Sequence, residues 1–199
     1  MLISISGIDG CGKTLQVNML QSWLQNLDRT CVTVKAYDDT AKIACRPFMD
    51  TWTSDTAIMF LFQALHAQQY ALTIQALTRG DIVITDRWDE SYLAYHENFG
   101  FLAEQLEIRS QLNTLAFHGK LPDIGFIIDV PPEIARRRRE SRGKVERFED
   151  RSDQYYETVR VSYRRIATAR NWTILNGTKT PESIHQEIIA VLQNSKLFL

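Results

Sequence analysis

The chain has 199 residues, and at about one domain per ~150 residues this length allows little beyond one compact domain. With 44% hydrophobic residues it can fill a core without metal or disulfide staples, which excludes a disordered chain and a disulfide-held mini-protein. Lys and Arg number 23 against 24 Asp and Glu, a formal net charge of −1, so no whole-chain field attracts nucleic acid or an anionic membrane and any basic function is local.

Residues 1–6 (MLISIS) are apolar and rich in β-branched types and stop at Gly7, as a buried strand does before a turn. From Lys13 the apolar positions Leu15, Met19, Leu20, Trp23, Leu24 and Leu27 recur every three or four residues, which predicts an amphipathic helix to about Asp28. Cys31–Val34 reads as a second strand. Residues 54–79 have helical spacing, with Ser54 or Asp55 placed to cap the start and Gly80 just past the end. Residues 81–85 (DIVIT) and 124–130 (IGFIIDV) are continuous apolar runs of the kind found in parallel strands buried on both faces. Weaker helical patterns cover 90–96, 102–118, 132–140, 151–170 and 181–194, and a last strand falls at 172–175. Strands alternating with helices predict right-handed βαβ crossovers and an α/β fold. No fixed-period repeat or linker divides the chain, so 1–199 reads as one domain.

Cys11, Cys31 and Cys45 are odd in number and lack C-x-x-C spacing, which argues against a disulfide framework or a zinc site and for a reducing cytosol. No apolar run approaches the ~20 residues of a membrane span, and the amino terminus shows no basic leader. The expectation is an untargeted, soluble, cytoplasmic protein.

Gly7-Ile8-Asp9-Gly10-Cys11-Gly12-Lys13-Thr14 matches G-x-x-x-x-G-K-[ST] between the first strand and the first helix, the context this phosphate-binding loop requires. Gly7, Gly10 and Gly12 let backbone N–H groups turn inward on phosphate oxygens, with Asp9 and Cys11 carried on the same loop, and the helix N-terminus adds its positive dipole end. Lys13 is then placed to neutralise the β- and γ-phosphates of ATP, and Thr14 to offer its hydroxyl to Mg²⁺. Cys11 reads either as an oxidation-sensitive thiol or as a small filler. Asp86 ends the third strand, where a carboxylate faces the same crevice and a metal, although an Asp there is commonly a plain turn or cap. Its neighbour Arg87 suits a bidentate clamp on a second phosphate.

Residues 136–150 hold six arginines, Arg136 to Arg139, Arg142 and Arg147. They read as a solvated helix face, a nucleic-acid patch or a lid over phosphates. The patch lacks interleaved aromatics, so nucleic acid is not expected as a partner. Arg142 and Arg147, flanking Gly143, are the better lid candidates, and at most half of Arg136 to Arg139 can face one site.

These residues resemble the thymidylate kinase family of P-loop nucleoside monophosphate kinases. The resemblance runs through I-D-G-C-G-K-T, T-I-Q-A-L-T-R-G, V-I-T-D-R-W-D-E-S-Y-L-A-Y, P-D-I-G-F-I-I-D-V-P-P-E, S-R-G-K-V-E-R-F-E and L-N-G-T. It implies a three-layer P-loop NTPase sandwich with a mostly parallel five-stranded sheet and an arginine-bearing lid. It further implies transfer of the γ-phosphoryl of ATP to dTMP with Mg²⁺, in a homodimer. By the same resemblance Asp9 lies near the acceptor sugar, Lys13 and Thr14 on the donor phosphates, and Asp86 and Arg87 at the metal and acceptor phosphate. Phe62 stacks on the acceptor base, Tyr95 lies under the deoxyribose, Arg142 and Arg147 serve the lid, and Asn176 lies beside the donor adenine.

Two departures bear on the acceptor. Where the family has R-E-P-G-G-T, this chain has Lys35-Ala36-Tyr37-Asp38-Asp39-Thr40, with Arg46 a candidate to compensate. The family's base-reading D-R pair is here Leu65-His66, and a polar residue expected near Ser91 is Tyr92, so His66 and Tyr92 become the candidate base contacts and another pyrimidine stays open. A deoxynucleoside kinase, with Asp38 or Asp39 as base, and a non-enzymatic nucleotide switch are the rival readings. The first departs from that group's E-R-S at Asp86-Arg87-Trp88, and the second lacks N-K-x-D at Asn176-Gly177-Thr178-Lys179.

Overall fold

The computed structural model describes residues 1–100, 102–143 and 150–196, with Lys42 described by its backbone alone. Five strands, β1 (Leu2–Ser6), β2 (Cys31–Val34), β3 (Ile82–Asp86), β4 (Ile124–Asp129) and β5 (Thr173–Asn176), form one sheet in the order β2-β3-β1-β4-β5. Every pairing among them is parallel, so the expected mostly parallel sheet is wholly parallel among the described residues. The helices are α1 (Lys13–Asn26), α2 (Asp39–Thr51), α3 (Asp55–Thr78), α4 (Asp89–His96), α5 (Leu106–Phe117), α6 (Pro132–Ser141), α7 (Asp153–Ala169) and α8 (Pro181–Gln193).

Strand alternation divides the core. Leu2 and Val83, partners in register, pack with Met59 and Ala76 of α3 and Phe117 of α5. Ile3 and Ile84 face the other way, into a cluster with Val17, Leu20 and Leu24 of α1. The sheet is thus covered on both faces, which is why its strands read as unbroken apolar runs. Central β1 delivers Gly7 to the carboxyl edge, and β3 delivers Asp86 and Arg87 beside it, because Ile5 registers with Asp86.

Two elements depart from the sequence expectation. The stretch 39–51 carries a helix that its pattern did not announce. Asp38 caps it by accepting the Ala41 N–H at 2.8 Å, Pro47 lies inside it, and its apolar residues are split between buried Met49 and exposed Ile43. The helix expected from 102 begins at Leu106. Residues 136–141, where the expected lid segment begins, form the last part of α6. The long helix keeps its expected ends, with Ser54 accepting the Ala57 N–H at 3.2 Å and Gly80 at φ +88°.

Candidate active site

The loop between β1 and α1 depends on its glycines. Gly7, Gly10 and Gly12 have φ of +145°, +88° and +103°. At Gly10 the backbone also runs so close to α6 that a Cβ would lie 2.3 Å from the Ala135 carbonyl oxygen. Cys11 is 1% exposed, and burial pushes its thiol up, so the filler reading holds over the oxidation-sensitive one.

Asp9 is the centre of the cluster. Its Oδ1 lies 2.5 Å from Arg87 Nη2 and 3.9 Å from Lys13 Nζ, and its Oδ2 accepts the Tyr95 hydroxyl at 3.0 Å. Burial would raise its pKa, but Arg87 and Lys13 outweigh burial and hold the carboxyl well below the usual carboxylate range. Lys13, 7% exposed, also donates to the Ile8 carbonyl at 3.1 Å.

Arg87 has φ +76°, a conformation that a long side chain rarely adopts outside a site that enforces it. The turn is pinned from three sides. Its N–H donates to Ile5 O at 3.2 Å, its carbonyl accepts Gln69 Nε2 at 2.8 Å, and its Nη1 donates to the Tyr163 hydroxyl at 2.5 Å. Its guanidinium also lies 5.2 Å from the centre of the Tyr95 ring. Behind it, buried Glu90 accepts the Trp88 N–H at 2.9 Å and the hydroxyls of Ser4 and Ser6, fixing the start of α4 against β1.

Asp86 is 4% exposed. Its Oδ2 accepts the Thr14 hydroxyl at 2.9 Å and lies 3.4 Å from Lys35 Nζ, whereas its Oδ1 has no hydrogen-bond partner. Burial opposes its ionisation, and Lys13 and Lys35 more than offset that, so it stays anionic.

The residues expected at the acceptor form a second group. Phe62 lies 6.0 Å from Tyr37 and 6.4 Å from His66, centre to centre, and His66 sits edge-on to Tyr92 at 6.2 Å. Arg46 pairs with Asp50 on its own helix at 2.9 Å, so the cation at the end of β2 beside the cluster is Lys35, which the sequence reading did not single out. Its position at a strand's carboxyl end was the available signal.

Of Arg136 to Arg139, two turn inward. Arg138 donates to Cys11 O at 3.4 Å and Gly177 O at 3.0 Å, and Arg139, 2% exposed, donates to Asp9 O at 2.5 Å while lying 4.1 Å over the Tyr156 ring. Arg142 caps α6 and is exposed, and Arg147 lies outside the described residues. Asn176 ends β5 and uses its Oδ1 locally, accepting from Thr178 N at 3.0 Å and Oγ1 at 2.7 Å. Tyr156 and Tyr163 on α7, reaching Asp9 and Arg87 across the sheet edge, had no sequence signal beyond an amphipathic helix.

The thymidylate kinase family model matches residues 5–188. This chain belongs to the thymidylate kinase family. It is 35% identical to a thymidylate kinase of Fervidobacterium nodosum over 96% of this chain and 98% of that one. It is 32% identical to one of Chlorobaculum parvum (97% and 95%) and 31% identical to one of Thermosipho melanesiensis (96% and 97%). The phosphate-binding loop from Gly7 to Thr14, the strand-end pair Asp86-Arg87, and the group around His66 and Tyr92 all lie inside the matched residues.

Proposed function

We propose that this chain, as a single kinase domain, transfers the γ-phosphoryl group of ATP to the phosphate of dTMP, giving ADP and dTDP. One observation carries the reading: Asp9 lies within ion-pair reach of both Lys13 and Arg87, so two cations, one from the start of α1 and one from the end of β3, converge on one carboxylate. Such a pair suits two phosphates brought end to end, Lys13 on the donor and Arg87 on the acceptor, with Gly7, Gly10, Cys11 and Gly12 turning amides on the donor chain. The acceptor phosphate is largely dianionic at neutral pH, its second pKa being about 6, so no general base is required. Catalysis then rests on alignment and on charge neutralised at the transferring group, with Arg142 and Arg147 as the lid's contribution and Asn176 beside the donor base. Tyr95, fixed by Asp9, would hold the deoxyribose, and Phe62 the base.

The orphaned, buried Asp86 Oδ1 next to the Thr14 hydroxyl fits Mg²⁺, and these two would be the protein's share of its shell. Among the described residues no three His, Cys, Asp or Glu side chains form a cage, which suits an ion completed by phosphates and water. When bound it neutralises phosphate charge.

A coupled ADP-release assay with ATP, Mg²⁺ and either dTMP or thymidine tests the reading. dTMP should stimulate turnover and thymidine should not. Preference for thymidine favours a nucleoside kinase instead, and turnover that no monophosphate stimulates removes the proposal.

No described helix is long and apolar enough to cross a membrane, and the three free cysteines suit a reducing cytoplasm. The exposed face of α3 presents Phe60, Ala64, Ala67, Gln68, Ala71 and Leu72 in sequence, with Phe60 55% and Leu72 42% exposed. A mainly apolar helix face with small residues at its centre fits the same face of a second copy, which makes a homodimer the proposed assembly. Sedimentation equilibrium at micromolar concentration should give twice the monomer mass, and a monomer there rejects it.

A further inference from the structure

The recess between α3, α4 and α5 holds four buried polar atoms without a hydrogen-bond partner: Oε1 and Nε2 of Gln63, His66 Nδ1 and the Tyr92 hydroxyl. Buried polar atoms of a folded chain are nearly always paired, so this many orphans in one place mark groups waiting for a ligand. The recess is otherwise aromatic. Phe117 lies 5.2 Å and Phe62 6.4 Å from the His66 ring, and His96 lies 4.9 Å from Tyr92. That is the lining expected around a flat heterocycle, with a few polar atoms to read its edge. The Gln63 amide is the polar neighbour of the Tyr92 hydroxyl, close enough to work against the rise that burial causes there, yet outside hydrogen-bond geometry.

The polarity of these groups matters more than their presence. Burial, followed by the nearby charges of His96 and Arg87, pushes His66 down to about 3, so its imidazole is neutral at working pH. The two guanidiniums whose charge reaches the recess are engaged elsewhere. Arg109 donates to the Leu102 and Ala103 carbonyls at 3.0 and 3.2 Å, and Arg87 is held by Asp9 and Tyr163. The groups left facing the recess are a carboxamide, a neutral imidazole and a phenol, and each can both donate and accept. A guanidinium can only donate, and would accept a 4-oxo pyrimidine while rejecting a 4-amino one. A carboxamide serves both after a half-turn about its last bond, giving its N–H to O4 and its oxygen to N3–H of a 4-oxo ring, or its oxygen to the amino group and its N–H to N3 of a 4-amino ring.

We infer that Gln63, His66 and Tyr92 read the base edge of the acceptor and that, being donors and acceptors at once, they admit 4-amino as well as 4-oxo pyrimidine deoxynucleoside monophosphates. This rests on the kinase reading above and extends it to substrate range. A site with fixed hydrogen-bond polarity rejects a mismatched partner by about 10⁴-fold or more, whereas a pocket that discriminates by shape alone manages about 100-fold.

The test measures kcat/KM for dTMP, dUMP and dCMP with ATP and Mg²⁺, together with calorimetric Kd values for dTMP and dCMP without ATP. The expectation is that dCMP stays within about 100-fold of dTMP in both. A wider gap overturns the inference and leaves the kinase reading standing, whereas phosphorylation of none of the three removes the kinase reading itself. The variant H66R, which installs a donor-only cation, should widen the dTMP:dCMP ratio at least about tenfold, and an unchanged ratio assigns the base edge to other residues. Because this readout is a ratio within one protein, a general loss of folded enzyme does not move it.

Discussion

Gly10 and Lys13 lie on the same loop and answer to different physics. Gly10→Ala forces an L residue to φ +88° and drives a Cβ to 2.3 Å from a backbone carbonyl of α6, where no side-chain motion relieves the contact. Urea unfolding should show about 2–4 kcal/mol less stability. Lys13→Ala creates no steric clash but removes the cation assigned to the donor phosphates, so turnover should fall at least ~100-fold, far more than the lost hydrogen bond to Ile8 and the lost pairing with Asp9 lower stability. A Lys13→Ala protein with full turnover would discard the phosphate assignment. The loop was legible because its chemistry is local: the glycines, the lysine and the hydroxyl follow one another, and the strand before and helix after them are strong patterns. Lys35, Gln63, Tyr156 and Tyr163 were not, because each reaches the site only through the fold, from a strand end, a helix flank or a helix distant in sequence.

The arginine run on α6 shows what periodicity can and cannot settle. Four consecutive positions turn through most of a circle, which limits the inward-facing ones to about two. The structure selects Arg138 and Arg139, and the sequence had no means to select them. Arg139 joins three elements: it belongs to α6, stacks on Tyr156 of α7 and donates to the Asp9 carbonyl of the phosphate-binding loop. Arg139→Met keeps much of the buried volume but leaves that carbonyl unpaired, which costs about 1–3 kcal/mol. The loop should loosen with it, so a lower melting temperature and a higher KM for ATP are expected together. Arg142→Ala, at the exposed end of the same helix, should lower kcat and leave the melting temperature unchanged. If the two variants behave alike, α6 is not divided into an anchoring face and a lid-side end. Helix α2 escaped notice for a related reason: Pro47 reads as a breaker, and an apolar residue as exposed as Ile43 spoils the expected stripe.

Across the molecule, buried histidines couple the acceptor recess to overall stability. His66 is pushed down to about 3 and His96 to about 4, in each case chiefly by burial, with Arg87 and Arg109 adding repulsion, and burial lowers His185 as well. In the unfolded chain these imidazoles take up protons near pH 6.5, so below that pH the unfolded state binds more protons than the folded one. Their contribution is therefore complete above about pH 6.5 and is lost as the pH falls toward 4. Asp9 and Asp86 are shifted down too, but their contribution persists until the pH drops below the ordinary carboxylate range, so the two effects occupy different windows. At about 1.4 kcal/mol per pKa unit, reduced because both rings are partly exposed, His66 and His96 together should cost on the order of 1–3 kcal/mol between pH 7 and pH 5. Urea titrations at those two pH values should show that loss in the parent and a smaller one in His66→Leu. Equal losses in both would place the sensitivity elsewhere. A recess that resists protonation also keeps its base-reading groups neutral across the pH range in which the acceptor phosphate gains its second charge, so substrate ionisation and site polarity need not change together.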